Sequence, residues 1–388
     1  MTAPARLPLE DVTVVALEQA VAAPLATRQL ADLGARVIKV ERPDGGDFAR
    51  GYDRAVHGGS SAFVWLNRGK ESVELDLKDP GRMAALHRLL ERADVLVANL
   101  APTALERLGL GADALRSRHP RLVVCRISGY DPEGPQPEKK AYDALIQAEA
   151  GVMSLTGAPG EPAKTGISIA DIAAGSYAFS GVLAALRHRD ATGEVLPVRV
   201  SLFDCLTEWM AHPLYQTLYG GTAPVPMGTS HPAIAPYGAY VTADGASVMI
   251  AVQNEREWAR LCADVLEEPA LASDPRFRSN SERVAARSEM DAQLVPRIGA
   301  FTAAALTARL DAAGIAWGRL TELADLASHP ELGRPGRWLD TPTEHGTVRT
   351  LFPPGAPGGR VAGGGAVPAL GQHTDSVLAE LDFAEENR

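Results

Sequence analysis

The stretch Val12-Thr-Val-Val-Ala-Leu-Glu-Gln-Ala-Val-Ala-Ala-Pro-Leu-Ala-Thr-Arg-Gln-Leu-Ala-Asp-Leu-Gly-Ala-Arg-Val-Ile-Lys-Val-Glu41 decides the fold. Val12 to Leu17 is apolar except for Thr13, a β-branched residue at home in a strand. Ala23 to Leu33 has helical composition, Leu33-Gly34-Ala35 breaks it, and Arg36 to Val40 reads as a second strand. A strand, a helix and a parallel strand make a right-handed crossover. Working outward, Asp79 to Ala93 repeats the helical pattern with Pro80 near its start, then leads into a strand at Val95 to Ala98. Another strand is expected at Leu122 to Ile127. The alternation predicts an α/β protein with a mostly parallel sheet and helices on both faces.

Further along, Gly129 to Lys139 reads as a Pro/Gly-rich loop and Tyr142 to Met153 as a helix. The mostly apolar run Ile167 to Ala170 reads as a strand ending at Asp171, followed by a small-residue helix from Ile172 to Arg187. A strand at Val198 to Leu202 and a helix from Asp204 to Leu218 follow. Composition shifts at Gly220 to Pro236, rich in Gly, Pro and Thr. Tyr240 to Ala243 and Val248 to Val252 flank Asp244-Gly245, a hairpin signal. Helices are expected at Arg256 to Leu266, Ser281 to Phe301 and Thr302 to Ala313, so this stretch reads as a smaller α+β domain. Short strands follow Pro330, and a helix near Thr374 to Leu381 closes the chain.

The 388 residues exceed one ordinary core and predict two domains. Hydrophobic residues at 46% and charged residues at 22% fit a globular protein, and the net charge of −10 argues against a nucleic-acid partner. No membrane span and no leader-type apolar run at Met1 to Glu10 is read, and three scattered cysteines fit a reducing cytoplasm. Glu41 ends the second strand where a ribose-binding acid would sit, but the turn Glu18 to Pro24 lacks the GxGxxG that lets a pyrophosphate approach. A P-loop, a GxSxG elbow and an HExxH are absent, and no metal site is expected.

Asp171 attracts attention because a carboxylate opening a helix is favoured by the dipole and held ionised there. An ionised, partly desolvated aspartate can attack a thioester carbonyl. Asp204 has the same strand-to-helix setting, and spacing alone does not separate the two.

Whole blocks carry a resemblance. Leu17 to Glu41 with Arg42-Pro-Asp-Gly-Gly-Asp47, Asn67-Arg-Gly-Lys-Glu-Ser-Val-Glu-Leu-Asp-Leu-Lys78, Ala93 to Asn99, Ala141-Tyr-Asp-Ala-Leu-Ile-Gln147, Gly166 to Gly175 and Gly371-Gln-His-Thr-Asp375 resemble family III coenzyme A transferases of the CaiB/BaiF type, in that family's order. The resemblance implies a Rossmann-like large domain built from both chain ends (1–226 and 327–388), an inserted small domain (227–326) and an interlocked homodimer. It makes Asp171 the nucleophile that passes CoA from an acyl-CoA to a carboxylic acid, with the CoA thioester as substrate and no permanently bound cofactor. It places Arg42, Leu75, Asn99, Arg107 and Lys140 along the CoA surface, backbone near Gln19 and Ala20 at the thioester end, and Tyr142 beside the reacting centre.

The closest likeness within the family is to members acting on short dicarboxylates with succinyl-CoA, with Arg50 or Lys164 as holders of a distal carboxylate. Two departures stand out. Val21 occupies a position where some members carry a side-chain amide, and Gly228 to Gly238, with His231, replaces a glycine run. Racemases of the family carry histidine where this chain has Tyr142, whose ordinary pKa near 10 suits proton exchange poorly. A non-catalytic CoA-binding protein is the alternative from another class.

Overall fold

Strand β1 (Thr13–Leu17) is buried because it lies mid-sheet, with β2 (Arg36–Glu41) on one side and β4 (Val95–Ala98) on the other, both parallel to it. The protein is described here by a computed structural model covering residues 6–362 and 365–386, so the first five residues of the amino-terminal stretch lie outside it. β3 (Lys70–Glu74), β5 (Val123–Ser128) and β6 (Val198–Ser201) complete a six-stranded parallel sheet in the order 3-2-1-4-5-6. That order reverses between β1 and β4, and ligands of such sheets bind outside the strand carboxyl ends at the reversal.

Helices α1 (Ala22–Asp32), α2 (Ser61–Asn67), α3 (Pro80–Arg92), α4 (Pro102–Arg107) and α5 (Ala112–Arg118) connect the strands. α6 (Asp143–Glu149), α7 (Ile169–Thr192) and α8 (Leu202–Trp209) follow. The sheet is covered on both faces, by α1, α7 and α8 on one side and by α3 to α5 with the last helix (Thr374–Glu386) on the other. α7 is long and apolar enough to span a membrane by length and composition. Its buried face, running from Ala170 through Gly175 to Leu186, packs into the core instead. Gly175 makes this close approach possible, since a Cβ there would lie 2.6 Å from the Ala22 carbonyl oxygen.

Two expectations need correction. Residues 167–170 form no strand, because α7 already begins at Ile169 and Asp171 sits in its first turn. The expected helix from Asp204 to Leu218 is two helices, α8 and Ala211–Gly220. β3 has no counterpart among the expected strands, since its KESVE sequence hides a strand behind three charges.

By compactness the chain divides into two units, one of Met1–Val152, Thr165–His212 and Arg334–Arg388, the other of Met153–Lys164 and Pro213–Gly333. The first also holds the hairpin Trp338–Thr343 with Gly346–Leu351. The second has its own antiparallel sheet of Tyr237–Val241, Ser247–Ala251 and Ala316–Arg319, with Trp258, Phe277 and Leu294 in its core. The Asp244-Gly245 turn forms as the sequence suggests, with Gly245 at φ 78°.

Candidate active site

Asp171 differs from Asp204 in what holds it. Ser201 caps α8, accepting the Asp204 N–H at 3.0 Å while its hydroxyl donates to the Asp204 carboxylate at 2.8 Å. Asp204 is therefore half of a reciprocal cap. Ser168 provides no such side-chain bond at the start of α7. The Asp143 carboxylate does so instead, taking the Ala170 N–H at 2.8 Å, while Gln147 Nε2 donates to its other oxygen at 2.7 Å. The Gln147 oxygen in turn accepts the Thr165 N–H at 2.9 Å.

Burial first, and the Asp143 charge second, push the Asp171 carboxyl up from its ordinary 3.8 to about 7. Burial and the Asp143 charge both work against the ionised form, so the expectation of a carboxylate held fully ionised is corrected. At neutral pH the group stands between its protonated and ionised forms.

The first turn of α7 lies beside the start of α1, because Ile172 packs against Val21, Leu25 and Leu66. Val21 begins α1 with no capping side chain, and the first turn contains no acid. Bare N–H groups at a helix start favour negative charge. The preceding turn is fixed from two directions. Asn99 accepts the Gln19 N–H at 2.9 Å and donates to the Gln19 carbonyl at 2.8 Å. Asp47 accepts the Ala20 N–H at 2.9 Å, holding Ala20 at φ 62°, a left-handed backbone that is uncommon outside glycine.

Asp47 belongs to a buried charge network. Its second oxygen meets Lys39 Nζ at 2.7 Å, and Lys39 and Lys70 reach one oxygen of Glu18 at 3.3 and 2.7 Å. Burial, only partly offset by Glu18, draws the Lys70 ammonium down to about 8. Glu41 receives the Asp47 N–H at 3.0 Å and both arms of the Arg50 fork at 2.9 and 2.7 Å. Burial works to raise the Glu41 carboxyl, but Arg50, Lys39 and Ser72 overcome it and bring the pKa down to about 2. Arg50 also donates to the Pro368 carbonyl and lies 3.8 Å over the Phe63 ring. Its guanidinium is thus engaged inside the protein, while the side chain also lines a cleft of about 310 Å³.

Two neighbouring clefts open at the same edge of the sheet. One of about 210 Å³ includes Gln19, Arg42 and Leu75 in its lining; the other, of about 560 Å³, includes Arg107. They share Leu77, Lys78 and Leu108. Arg42 is braced by a bond from Nε to the Gly46 carbonyl at 2.9 Å and by the Phe48 ring at 4.4 Å. Asn99 holds the turn that forms one wall, whereas Lys140 is exposed in the loop before α6 and lines neither cleft. Tyr142, 73% exposed, precedes α6 next to Asp143.

The sequence reasoning passed over Asp143, Asp47, Tyr52 and Lys78. Burial, then Asp47, Asp171 and Tyr142, raises the Tyr52 phenol, which places these four side chains in one electrostatic neighbourhood. Asp47 and Lys78 end two of the quoted blocks, and Asp143 lies inside a third, so their identities were visible while their partners were not. His231 stacks on Tyr237 at 5.2 Å and accepts the Ala233 N–H at 3.1 Å, a histidine that orders its own loop.

Comparison with known proteins identifies the family. The profile of CoA-transferase family III matches residues 9–374. The chain is 33% identical over 395 residues to a succinate–glutarate CoA-transferase of Agrobacterium fabrum, covering 97% of this chain and 96% of that protein. It is 36% identical over 326 residues to an acetyl-CoA:oxalate CoA-transferase of Acetobacter aceti, covering 84% of this chain and 83% of that protein. A crystal structure of a CaiB/BaiF family protein from Brucella suis superposes with a TM-score of 0.86 at 33% identity, over 97% of this chain and all of that one. The chain is an enzyme of CoA-transferase family III.

Proposed function

We propose that this enzyme moves CoA from succinyl-CoA to a short dicarboxylic acid through a covalent intermediate on Asp171. The observation that carries the reading is that the first turn of α7, which bears Asp171, packs through Ile172 against the uncapped start of α1. The ionised Asp171 attacks the donor thioester carbonyl, and the C–S bond breaks to leave an aspartyl mixed anhydride and CoA thiolate. The thiolate attacks the aspartyl carbonyl, releasing the donor acid and leaving an aspartyl-CoA thioester. The acceptor carboxylate attacks that thioester and expels the thiolate once more. The thiolate then takes the acceptor's acyl carbon and regenerates Asp171. One thioester replaces another, so the sequence needs no metal or electron carrier.

The uncapped N–H groups of α1 stand in for the side-chain amide that Val21 does not supply, meeting each developing oxyanion. Arg42, Arg107 and Lys78 surround the CoA phosphates, with Leu75 against the pantetheine arm. Gln19 and Ala20 face the thioester through their backbone, Asn99 steadies that turn, and Tyr142 borders the acyl group. Lys140 completes the phosphate contacts from its exposed loop. Dicarboxylates are favoured because both similar transferases carry one in their names. The same reading includes an interlocked homodimer, an inserted domain at 227–326 and a cytoplasmic location.

Incubation with succinyl-CoA and hydroxylamine tests it. Mass spectrometry is expected to find a hydroxamate on the peptide containing Asp171, with none in Asp171→Ala. Modification at another residue, or turnover by Asp171→Ala, defeats the proposal.

A further inference from the structure

Strand β3 is an edge of the main sheet, and the turn Gly371–Thr374 lies on it from about 300 positions further along the chain. The Ser72 N–H donates to His373 Nδ1 at 3.1 Å, and the His373 N–H returns to the Ser72 carbonyl at 2.9 Å. Thr374 Oγ1 accepts the Glu74 N–H at 2.9 Å. Gly371 holds φ 68°, and its N–H donates to the Ser72 hydroxyl at 2.9 Å.

That hydroxyl has one proton, which goes to Glu41 Oε1 at 2.6 Å. Glu41 Oε2 accepts the Asp47 N–H at 3.0 Å, and Asp47 Oδ1 accepts the Ala20 N–H at 2.9 Å. Ser72, Glu41 and Asp47 are 0%, 4% and 2% exposed, so water cannot replace a lost partner in this series. The series ends on a residue whose left-handed backbone persists only where its surroundings over-determine it.

We propose that Ser72 is a positioning residue for the reaction at Asp171, joining the Gly371–Thr374 turn to the Ala20 N–H and so fixing the turn that receives the thioester. This rests on the reading of that turn given above. Ser72 touches no reacting atom. It holds Glu41 against Asp47 and thereby holds Asp47 under Ala20. Small displacements of positioning groups cost rate more than binding.

The test compares Ser72→Ala, Ser72→Thr and Gly371→Ala with the parent, using succinyl-CoA and glutarate at a temperature well below each melting point. Ser72→Ala is expected to lose about tenfold in kcat or more while the KM for succinyl-CoA stays within about twofold. Ser72→Thr keeps the hydroxyl and restores kcat. Gly371→Ala, strained at its positive φ, is expected to behave like Ser72→Ala and carries the test should that variant not fold. Hydrogen exchange read by mass spectrometry on the peptide covering Gln19 to Ala23 is expected to quicken in both, whichever substrates the enzyme prefers.

A kcat per folded molecule equal to the parent's, or unchanged exchange at Gln19 to Ala23, overturns the proposal. Asp171→Ala, measured alongside, separates the failures. If it is inactive while Ser72→Ala retains parental kcat, the positioning role alone fails. If Asp171→Ala turns over, the reading of the site fails.

Discussion

Replacing Asp143 by asparagine removes one of the two influences that raise Asp171 and leaves the other in place. The asparagine side chain keeps an oxygen for the Ala170 N–H, so α7 retains its start, while its amide nitrogen replaces the oxygen that accepts from Gln147 Nε2 and that one bond is lost. The Asp171 carboxyl stands at about 7 against an ordinary 3.8, and burial is the larger of the two causes. Loss of the Asp143 charge therefore recovers less than half of that difference, at most about 1.5 pH units or about 2 kcal/mol. At pH 6 a carboxyl with a pKa near 7 is ionised in about a tenth of molecules, and one near 5.5 in about three quarters. The acid limb of kcat/KM for acyl-CoA reports the free enzyme's essential groups, so its midpoint is expected to fall. Activity at pH 6 should rise by up to about eightfold, with no gain at pH 8.5. The assay is an initial-rate pH profile with a saturating acceptor acid. A midpoint that stays in place or moves upward refutes the argument that Asp143 tunes Asp171.

Asp171→Asn is expected to abolish transfer yet stabilise the fold. A carboxyl whose folded pKa is raised binds its proton more tightly folded than unfolded, so stability is lost as pH rises from about 4 to about 7. The gain in melting temperature should be full above pH 7, worth at most about 4 kcal/mol, and vanish near pH 4 in a calorimetric series. Lys78→Ala is expected to raise the KM for acyl-CoA about 3- to 10-fold, with the acceptor's KM steady and a shallower dependence on salt. Burial, then Arg118, lowers both His87 and His119, whose rings meet at 3.2 Å. The unfolded chain gains protons there first, so stability should fall as pH drops below about 6.5, and His119→Gln should flatten that loss in thermal melts. In deuterated water without acceptor acid, a 2-methylacyl-CoA should keep its α-proton, which nuclear magnetic resonance can follow.

The central crossover is legible because β1 and β2 are apolar runs around a small-residue helix, a local pattern that burial makes necessary. β3 is not, because the charge of the buried Lys70 is neutralised by Glu18, which lies 52 positions earlier. A charge paired over that distance leaves no periodic trace. The run Ile167 to Ala170 reads as a strand since so short a run, apolar but for Ser168, does not distinguish strand from helix. The deciding group, Asp143, lies 27 positions before Ala170. Asp171 and Asp204 likewise look alike until Ser201 is seen to occupy one of them. The site is legible as residue types in blocks, whereas its electrostatics come from contacts between blocks.

The attachment of Gly371 and His373 to Ser72 also bears on how the protein is made. During synthesis at about 5 to 20 residues per second, β3 leaves the ribosome roughly 15 to 60 seconds before the turn that covers it. Throughout that interval one margin of the sheet exposes unpaired backbone groups, the kind that recruit foreign strands. A nascent chain stalled anywhere before Gly371 has nothing to seat against the Ser72 hydroxyl. Emergence of the Gly371–Thr374 turn, rather than completion of the central sheet, is the event that covers this margin, and products terminated before it should accumulate as substrates for chaperones and proteases.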